Sequence, residues 1–354
     1  MESLYYVLCW ACHRKCKHCY ETRFRPYVRD ALRGVVDEAK ATFPKVIANL
    51  PDRLVYRDLS EPSETLPGGY AEKPGRIILA GGEVLVEPVR EEVLYPALEA
   101  IQAKYAGQGV RVVVQTTGDL VTPEIVRDLL NRGVWMISCA GMDDFHVGME
   151  GDKRIPLEQR LREMFEAAGM ADSHLRKDVR DWKVEDGPVY SFFGATDDAW
   201  IGKIWPRGRA WENSLSKAGI TDNFCNAWSG GLNFLMRGYS GSEVSIDPNG
   251  DIFPCCLKTK APLGNLAEER LEDVIDSLVG HPALEAISMG HPERMGLAHG
   301  WSVETFLERS RTTKPNGEPY RNLCIGCDRF HEEVLGPVLE ELSAKRRARR
   351  MAAE

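Results

Sequence analysis

The sequence lacks any long apolar run. No stretch approaches the ~18 consecutive apolar residues of a membrane span, so a membrane partner is not expected. "SLYYVLCW" (Ser3–Trp10) has no basic stretch or small-residue cleavage site around it, so it does not read as a signal peptide. Positive charge is not in excess either. Lys and Arg number 45 against 53 Asp and Glu, a formal net charge of −8, which argues against duplex nucleic acid as a partner. Lys345 to Arg350 is a short basic stretch that reads as a solvated helix end. Cysteine is scarce for a chain of 354 residues: there are ten, too few for a disulfide scaffold. They fall in clusters, which is the pattern of metal ligation in a reducing compartment, and a cytoplasmic location is expected. Internal repeats are also missing, and 43% hydrophobic residues suffice for one large core, or one large and one small.

What is present first is an alternation of short apolar runs and helical stretches. "YYVL", "RIILAGG" (Arg76–Gly82), "RVVVQTT" (Arg111–Thr117), "VWMISCAG" (Val134–Gly141) and the later "VYSFFG" (Val189–Gly194) read as strands rich in β-branched residues. Between them, Thr122 and Pro123 open a helix whose Ile125, Val126, Leu129 and Leu130 form one apolar stripe before Gly133 stops it. Continuous apolar strands separated by helices predict an α/β fold with a parallel sheet, covered on both faces or closed as a barrel. Chemistry in such folds sits at the carboxyl ends of the strands. Residues 51–75, polar and rich in Pro and Gly, read as a long inserted loop that caps the site.

After Trp211 the texture changes. "SEVSIDPNGDIFPCC" predicts an antiparallel hairpin turning at "DPNG". Asn265 and Glu268 read as a capping box ahead of Leu271, Val274, Ile275 and Leu278. "CIGC" then precedes a final helix with Val334, Leu335, Val338, Leu339 and Leu342 on one face.

The stretch "LCWACHRKCKHCY" holds Cys9, Cys12, Cys16 and Cys19. Two CxxC pairs this close leave too short a gap for a zinc knuckle. The other frame, Cys12-x3-Cys16-x2-Cys19 in a loop after the first strand, suits three ligands of a cubane iron–sulfur cluster, with one iron left open. A Cys3His zinc site using His13 or His18 is the alternative. Cys9 reads as a buried strand residue, and so does Cys139.

In that position Cys12-x3-Cys16-x2-Cys19 resembles the motif of the radical S-adenosylmethionine (SAM) enzymes. The resemblance implies a partial (β/α)6 TIM-like barrel over residues 1–210. It also implies a catalytic 4Fe–4S cluster whose open iron binds the methionine moiety of SAM. The reduced cluster then cleaves the sulfonium, and a deoxyadenosyl radical takes a hydrogen atom from the substrate. "GGE" at Gly81, Gly82 and Glu83 stands where the family binds the methionine amino group, though Val84 replaces its usual Pro. Thr117 in "QTTG" and Ser138 stand at two further cofactor positions, and Ala140 replaces an expected Asp. His146 lies eight residues after Ser138 and reads as a structural histidine. In "PRGRA" (Pro206–Ala210), Arg209 or Arg207 is expected to pair with a carboxylate of the cofactor.

Cys225, Cys255, Cys256, Cys324 and Cys327 resemble the SPASM/twitch extension of the same enzymes, which implies a small α+β domain over 211–354. One auxiliary 4Fe–4S cluster on Cys225, Cys255, Cys324 and Cys327 is implied, with Cys225 the least secure ligand; zinc on the same residues is the alternative. Cys256 stands where sulfatase-maturing relatives carry a basic Asp, and reads either as a hydrogen-atom donor to a substrate radical or as a small buried hydrophobe. The resemblance implies a peptide or small-molecule substrate that is oxidised, crosslinked or epimerised, and a flavodoxin- or ferredoxin-type electron donor. A chain that opens on the first strand shows no leader-binding domain, which mildly favours the small molecule. The rival class is a non-enzymatic iron–sulfur or zinc protein, an electron carrier or a sensor.

Overall fold

The β-branched runs become the strands Arg76–Ala80, Arg111–Thr116, Val134–Cys139 and Val189–Phe192. They are seen in a computed structural model that describes residues 1–66, 68–173, 187–195, 203–227 and 229–352. The chain divides into two units. One comprises Tyr6–Pro44 and Arg76–Lys217; the other comprises Met1–Tyr5, Lys45–Gly75 and Ala218–Glu354.

In the first unit the strands pair in parallel, with Ile77 beside Val112, Val114 beside Ile137, and Ser138 beside Ser191. A short strand, Ala171–Asp172, pairs in parallel with Val189–Phe192. Ile77, Leu79, Val112, Val114, Met136 and Ile137 are all fully buried, although neighbours on a strand face opposite ways. The sheet is therefore covered on both faces, which is why its strands read as unbroken apolar runs. The α/β class expected from the sequence is the one observed. Thr122 caps the Pro123–Asn131 helix, accepting from the Ile125 N–H at 3.3 Å, and Gly133 ends it at φ +75°. Cys139 is fully buried, as expected of a core residue.

The second unit mixes antiparallel strands and helices. Glu243–Ile246 pairs with Asp251–Phe253, which pairs in turn with Gly264–Asn265. Asp247 builds the turn, accepting at Oδ1 from the Asn249 N–H at 2.9 Å, and Gly250 takes φ +87°. The helices Leu271–Asp276, Pro282–Ser288, Val303–Arg309, Leu323–Phe330 and Gly336–Met351 complete it. No helix among the described residues is long and apolar enough to cross a membrane.

Three expectations are corrected here. Residues 51–75 are not a bare loop but a hairpin, Val55–Pro62 with Tyr70–Pro74, in which Tyr56 faces Lys73 and Arg57 faces Glu72. Charged cross-strand partners hide its alternation: Lys73 Nζ donates to Asp58 and Glu61, both at 2.6 Å. The capping box does not form. The helix starts at Leu271, and Asn265 Oδ1 accepts from the Ala267 N–H while its Nδ2 donates to Asn249 O and Asp251. Arg346 is not a solvated basic residue; it is buried and donates through Nε and Nη2 to Glu269 at 2.7 and 2.9 Å.

Candidate metal centres

The first centre is built on the loop after the Ser3–Val7 strand. Cys12 and Cys16 are buried there and Cys19 is half-buried. Burial pushes the Cys12 thiol up to about 12, and the nearby charges of Glu83, Cys16 and Cys19 add to it. Burial likewise raises Cys16, and raises Cys19 to about 11. Three bare thiolates are therefore disfavoured, and a cationic partner is needed to draw off their protons.

The backbone of this loop is fixed from two sides. On one, the Gly82 N–H donates to Cys9 O at 3.1 Å and the Glu83 N–H to Ala11 O at 2.9 Å. A Cβ on Gly82 would overlap Ala11 O and lie 2.8 Å from Cys12 Cβ. On the other, Arg209 donates through Nε to Cys16 O (2.9 Å), through Nη1 to Thr22 O (2.9 Å) and through Nη2 to Phe24 O (2.7 Å). The Ala210 N–H donates to Cys19 O, and Asn213 Nδ2 to Lys17 O. Arg209 thus clamps loop carbonyls, which differs from the carboxylate partner expected of it. Replacing it with Met strands three carbonyls, at about 1–3 kcal/mol for each one left buried and unpaired. Amide hydrogen exchange across residues 16–24 is expected to rise in R209M, and less in R209K, which keeps the charge but not the fork.

Glu83 is 2% exposed and both its oxygens are engaged. Oε1 accepts from Thr116 Oγ1 (2.8 Å) and the Leu85 N–H (3.0 Å), and Oε2 from the Thr117 N–H and its Oγ1, each at 2.7 Å. The Thr117 hydroxyl also lies 2.5 Å from Asp119 Oδ1. Asp119, which the sequence reading passed over, reaches the cysteine loop: His13 Nε2 and Arg14 Nη2 each lie 2.7 Å from its Oδ2. Burial works against its charge, but the hydrogen bonds from His13, Thr117 and Arg14 outweigh it and hold the carboxyl well below the usual range. Its position directly after "QTTG" was the available signal.

Ser138 pairs its hydroxyl with Ser191 Oγ at 2.7 Å. His146 Nδ1 donates to Asp143 Oδ1 at 2.8 Å, and its ring meets His18 edge-on at 4.6 Å between centroids. Asp143 also accepts from the Phe145, His146 and Ala195 N–H groups. Donor atoms of His18, Asp143 and His146 lie within 4.8 Å of one another.

The second centre lies in the other unit. Burial raises the Cys225 thiol well above its ordinary value, and the charges of Cys255 and Cys324 raise it further. Cys324 and Cys327, three apart on the Leu323–Phe330 helix, share a face. Between them Gly326 faces Phe306, where a Cβ would come within 2.8 Å of Cε1. Asn322 accepts at Oδ1 from the Cys324 N–H (2.9 Å) and donates to Ala218 O and Gly219 O, so the ligand helix is tied to the chain leading into Cys225. Cys256 is 4% exposed, and burial first, then the Cys255 and Glu243 charges, keep its thiol protonated.

None of the ten cysteines is in a disulfide. Among the described residues no three cysteine sulfurs lie within 4.8 Å of one another.

Residues 239–328, which contain Cys255, Cys256, Cys324 and Cys327, match the SPASM family, an iron–sulfur cluster-binding domain. That segment is similar to SPASM domains, and Cys225 lies ahead of it. No curated protein matches the sequence. Among solved structures, BtrN with AdoMet and 2-DOIA is 13% identical, with a TM-score of 0.43 over 82% of this chain and 88% of that one. Native anSMEcpe with bound AdoMet and the Cp18Cys peptide is 15% identical, with a TM-score of 0.41 over 97% of this chain and 99% of that one. Streptococcus suis SuiB with S-adenosylmethionine is 12% identical, with a TM-score of 0.37 over 85% and 75%.

Proposed function

We propose that the chain is a radical SAM enzyme of the SPASM type, working in a reducing compartment, the cytoplasm, on a peptide or small-molecule substrate. The observation that carries this reading is the first centre. Three thiols in a Cys12-x3-Cys16-x2-Cys19 loop are braced by "GGE" at the end of one parallel strand and by "QTTGD" at the end of the next. An electron carrier needs no such convergence of strand ends. The donor set fits the implied group: three thiols outside any disulfide, two buried and one half-buried, beside a glycine whose missing Cβ leaves room for close backbone approach.

When bound, a three-cysteine 4Fe–4S cluster and SAM supply one-electron cleavage and a carbon radical. Cys12, Cys16 and Cys19 would hold that cluster. Gly81 and Gly82 keep the adjoining backbone accessible, Glu83 and Thr117 fix its shape, and Ser138 lines the next strand end. Cys225, Cys255, Cys324 and Cys327 would hold one auxiliary 4Fe–4S cluster. Cys256 would serve as a hydrogen-atom donor, since its buried thiol keeps its proton. A flavodoxin- or ferredoxin-type protein would deliver the electron.

The test is anaerobic reconstitution followed by SAM and dithionite. Deoxyadenosine release is expected from the parent and from Cys256→Ser, and loss of it from Cys12→Ala. A colourless, zinc-loaded protein that releases none would end the enzyme reading.

A further inference from the structure

The Asp119 carboxylate links its own strand end to two segments far away in sequence, the cysteine loop directly and Glu83 through Thr117. Its Oδ1 meets Thr117 Oγ1, which itself meets Glu83 of "GGE". Its Oδ2 meets His13 Nε2 and Arg14 Nη2 of the loop between Cys12 and Cys16, with Arg14 Nε also within 3.3 Å. Arg14 goes on to tie the loop down. Its backbone N–H donates to Cys12 Sγ at 3.4 Å, and its Nη1 donates to Val147 O. The pair is shielded, with side-chain exposures of 11% for Arg14 and 23% for Asp119, so its attraction is only partly screened by water.

We infer that Asp119 is a positioning residue for the N-terminal cluster: through Arg14 and His13 it fixes the Cys12–Cys16 span, and it places a negative charge behind that span. This rests on the proposed reading of Cys12, Cys16 and Cys19 as cluster ligands. Glu83 cannot replace it, because both Glu83 oxygens are already bonded to Thr116, Thr117 and Leu85. Thr117 has one hydroxyl proton for two carboxylates and cannot by itself hold the loop. The other loop contacts described above, from Gly82, Glu83, Arg209, Ala210 and Asn213, act on backbone at Cys9, Ala11, Cys16, Lys17 and beyond, whereas the side chains of His13 and Arg14 turn to Asp119, with Arg14 Nη1 also on Val147 O.

The test is Asp119→Asn in the full chain, which keeps the shape and removes the charge. Three readings are taken: iron loss from each cluster under a chelator, the midpoint potential of the N-terminal cluster, and hydrogen exchange of residues 12–19 in the metal-free chain. Faster iron loss from the N-terminal cluster is expected, roughly tenfold for about 1.4 kcal/mol of lost charge-assisted bonding, with the auxiliary cluster unchanged. The potential is expected to move to a less negative value, because a nearby negative charge that opposes reduction is gone. Asp119→Glu should recover part of both. In combination with Arg14→Gln, Asp119→Asn should add little to what Arg14→Gln alone does, since the two act as one pair.

Unchanged retention and potential would overturn the assignment, and so would equal loss of both clusters, which would mark Asp119 as a general fold residue. If the parent takes up no N-terminal iron, the cluster reading has failed. The exchange measurement on the metal-free chain then still decides whether Asp119 holds the loop: exchange of residues 12–19 that does not rise in Asp119→Asn rules it out.

Discussion

Replacing Arg346 with alanine is expected to destabilise the unit that contains it by about 3–5 kcal/mol, the cost of leaving one partner of a buried ion pair without the other. The guanidinium is 6% exposed and its partner Glu269 4%. Nε and Nη2 meet the two Glu269 oxygens at 2.7 and 2.9 Å, Nη1 reaches Ser277 Oγ at 2.9 Å, and Nη2 also reaches Leu263 O at 3.1 Å. Truncation would leave the buried Glu269 carboxylate with the Asn265 N–H at 3.4 Å but no cation, and would take the guanidinium donor from Leu263 O. Arg346→Lys should recover only part, since a single ammonium cannot match the two-pronged geometry. The double change Arg346→Met with Glu269→Leu should be milder than Arg346→Ala, because no lone charge is left inside. Urea unfolding of the three variants beside the parent reads this directly. A midpoint for Arg346→Ala within error of the parent would show that the pair contributes little.

That pair marks where sequence reading loses its grip. The parallel strands were legible because burial on both faces leaves an uninterrupted run such as Ile77 to Ala80, with no polar residue to disguise it. The Pro123–Asn131 helix was legible because its Thr122 cap and Gly133 stop are local signals. The cysteine sets were legible because their spacing is itself the motif. Arg346 was not, because a run of like charges looks the same whether one member points to water or into a core. Its partner Glu269 lies 77 residues away, beyond any local pattern. The hairpin at 55–74 escaped for a similar reason: prolines and charges fill it, and its order comes from cross-strand pairing and from bonds such as Arg57 N–H to Gly238 O. In the site, "GGE" and "QTTG" stood out as segments. What they do to each other, with Glu83 bonded to Thr116 and Thr117, is a contact between strand ends that no spacing rule contains.

The glycines of "GGE" give the second large expectation, and it is graded. A Cβ on Gly82 would overlap Ala11 O, with Ala11 C 2.7 Å and Cys12 Cβ 2.8 Å away. Two of these atoms are backbone, held by Glu83 N–H to Ala11 O and Gly82 N–H to Cys9 O, so they cannot yield as a side-chain tip would. Gly82→Ala must therefore push the cysteine loop off the strand end. Overpacking of this kind costs about 1–3 kcal/mol, enough to lower N-terminal iron uptake at limiting iron by roughly tenfold. Gly81→Ala should do less, its Cβ meeting Cys9 O and Val84 Cγ1 at 3.1 Å, which a small shift relieves. Gly34→Ala is the control. It lies in the Arg29–Ala48 helix with nothing within 4 Å of its added Cβ, and should gain roughly 0.5–1 kcal/mol from helix propensity while leaving iron uptake alone. Iron per chain, resolved between the two clusters by their spectra, orders the series. Should Gly82→Ala bind N-terminal iron as well as Gly34→Ala does, the close approach of the cysteine loop to "GGE" would not be what shapes the site.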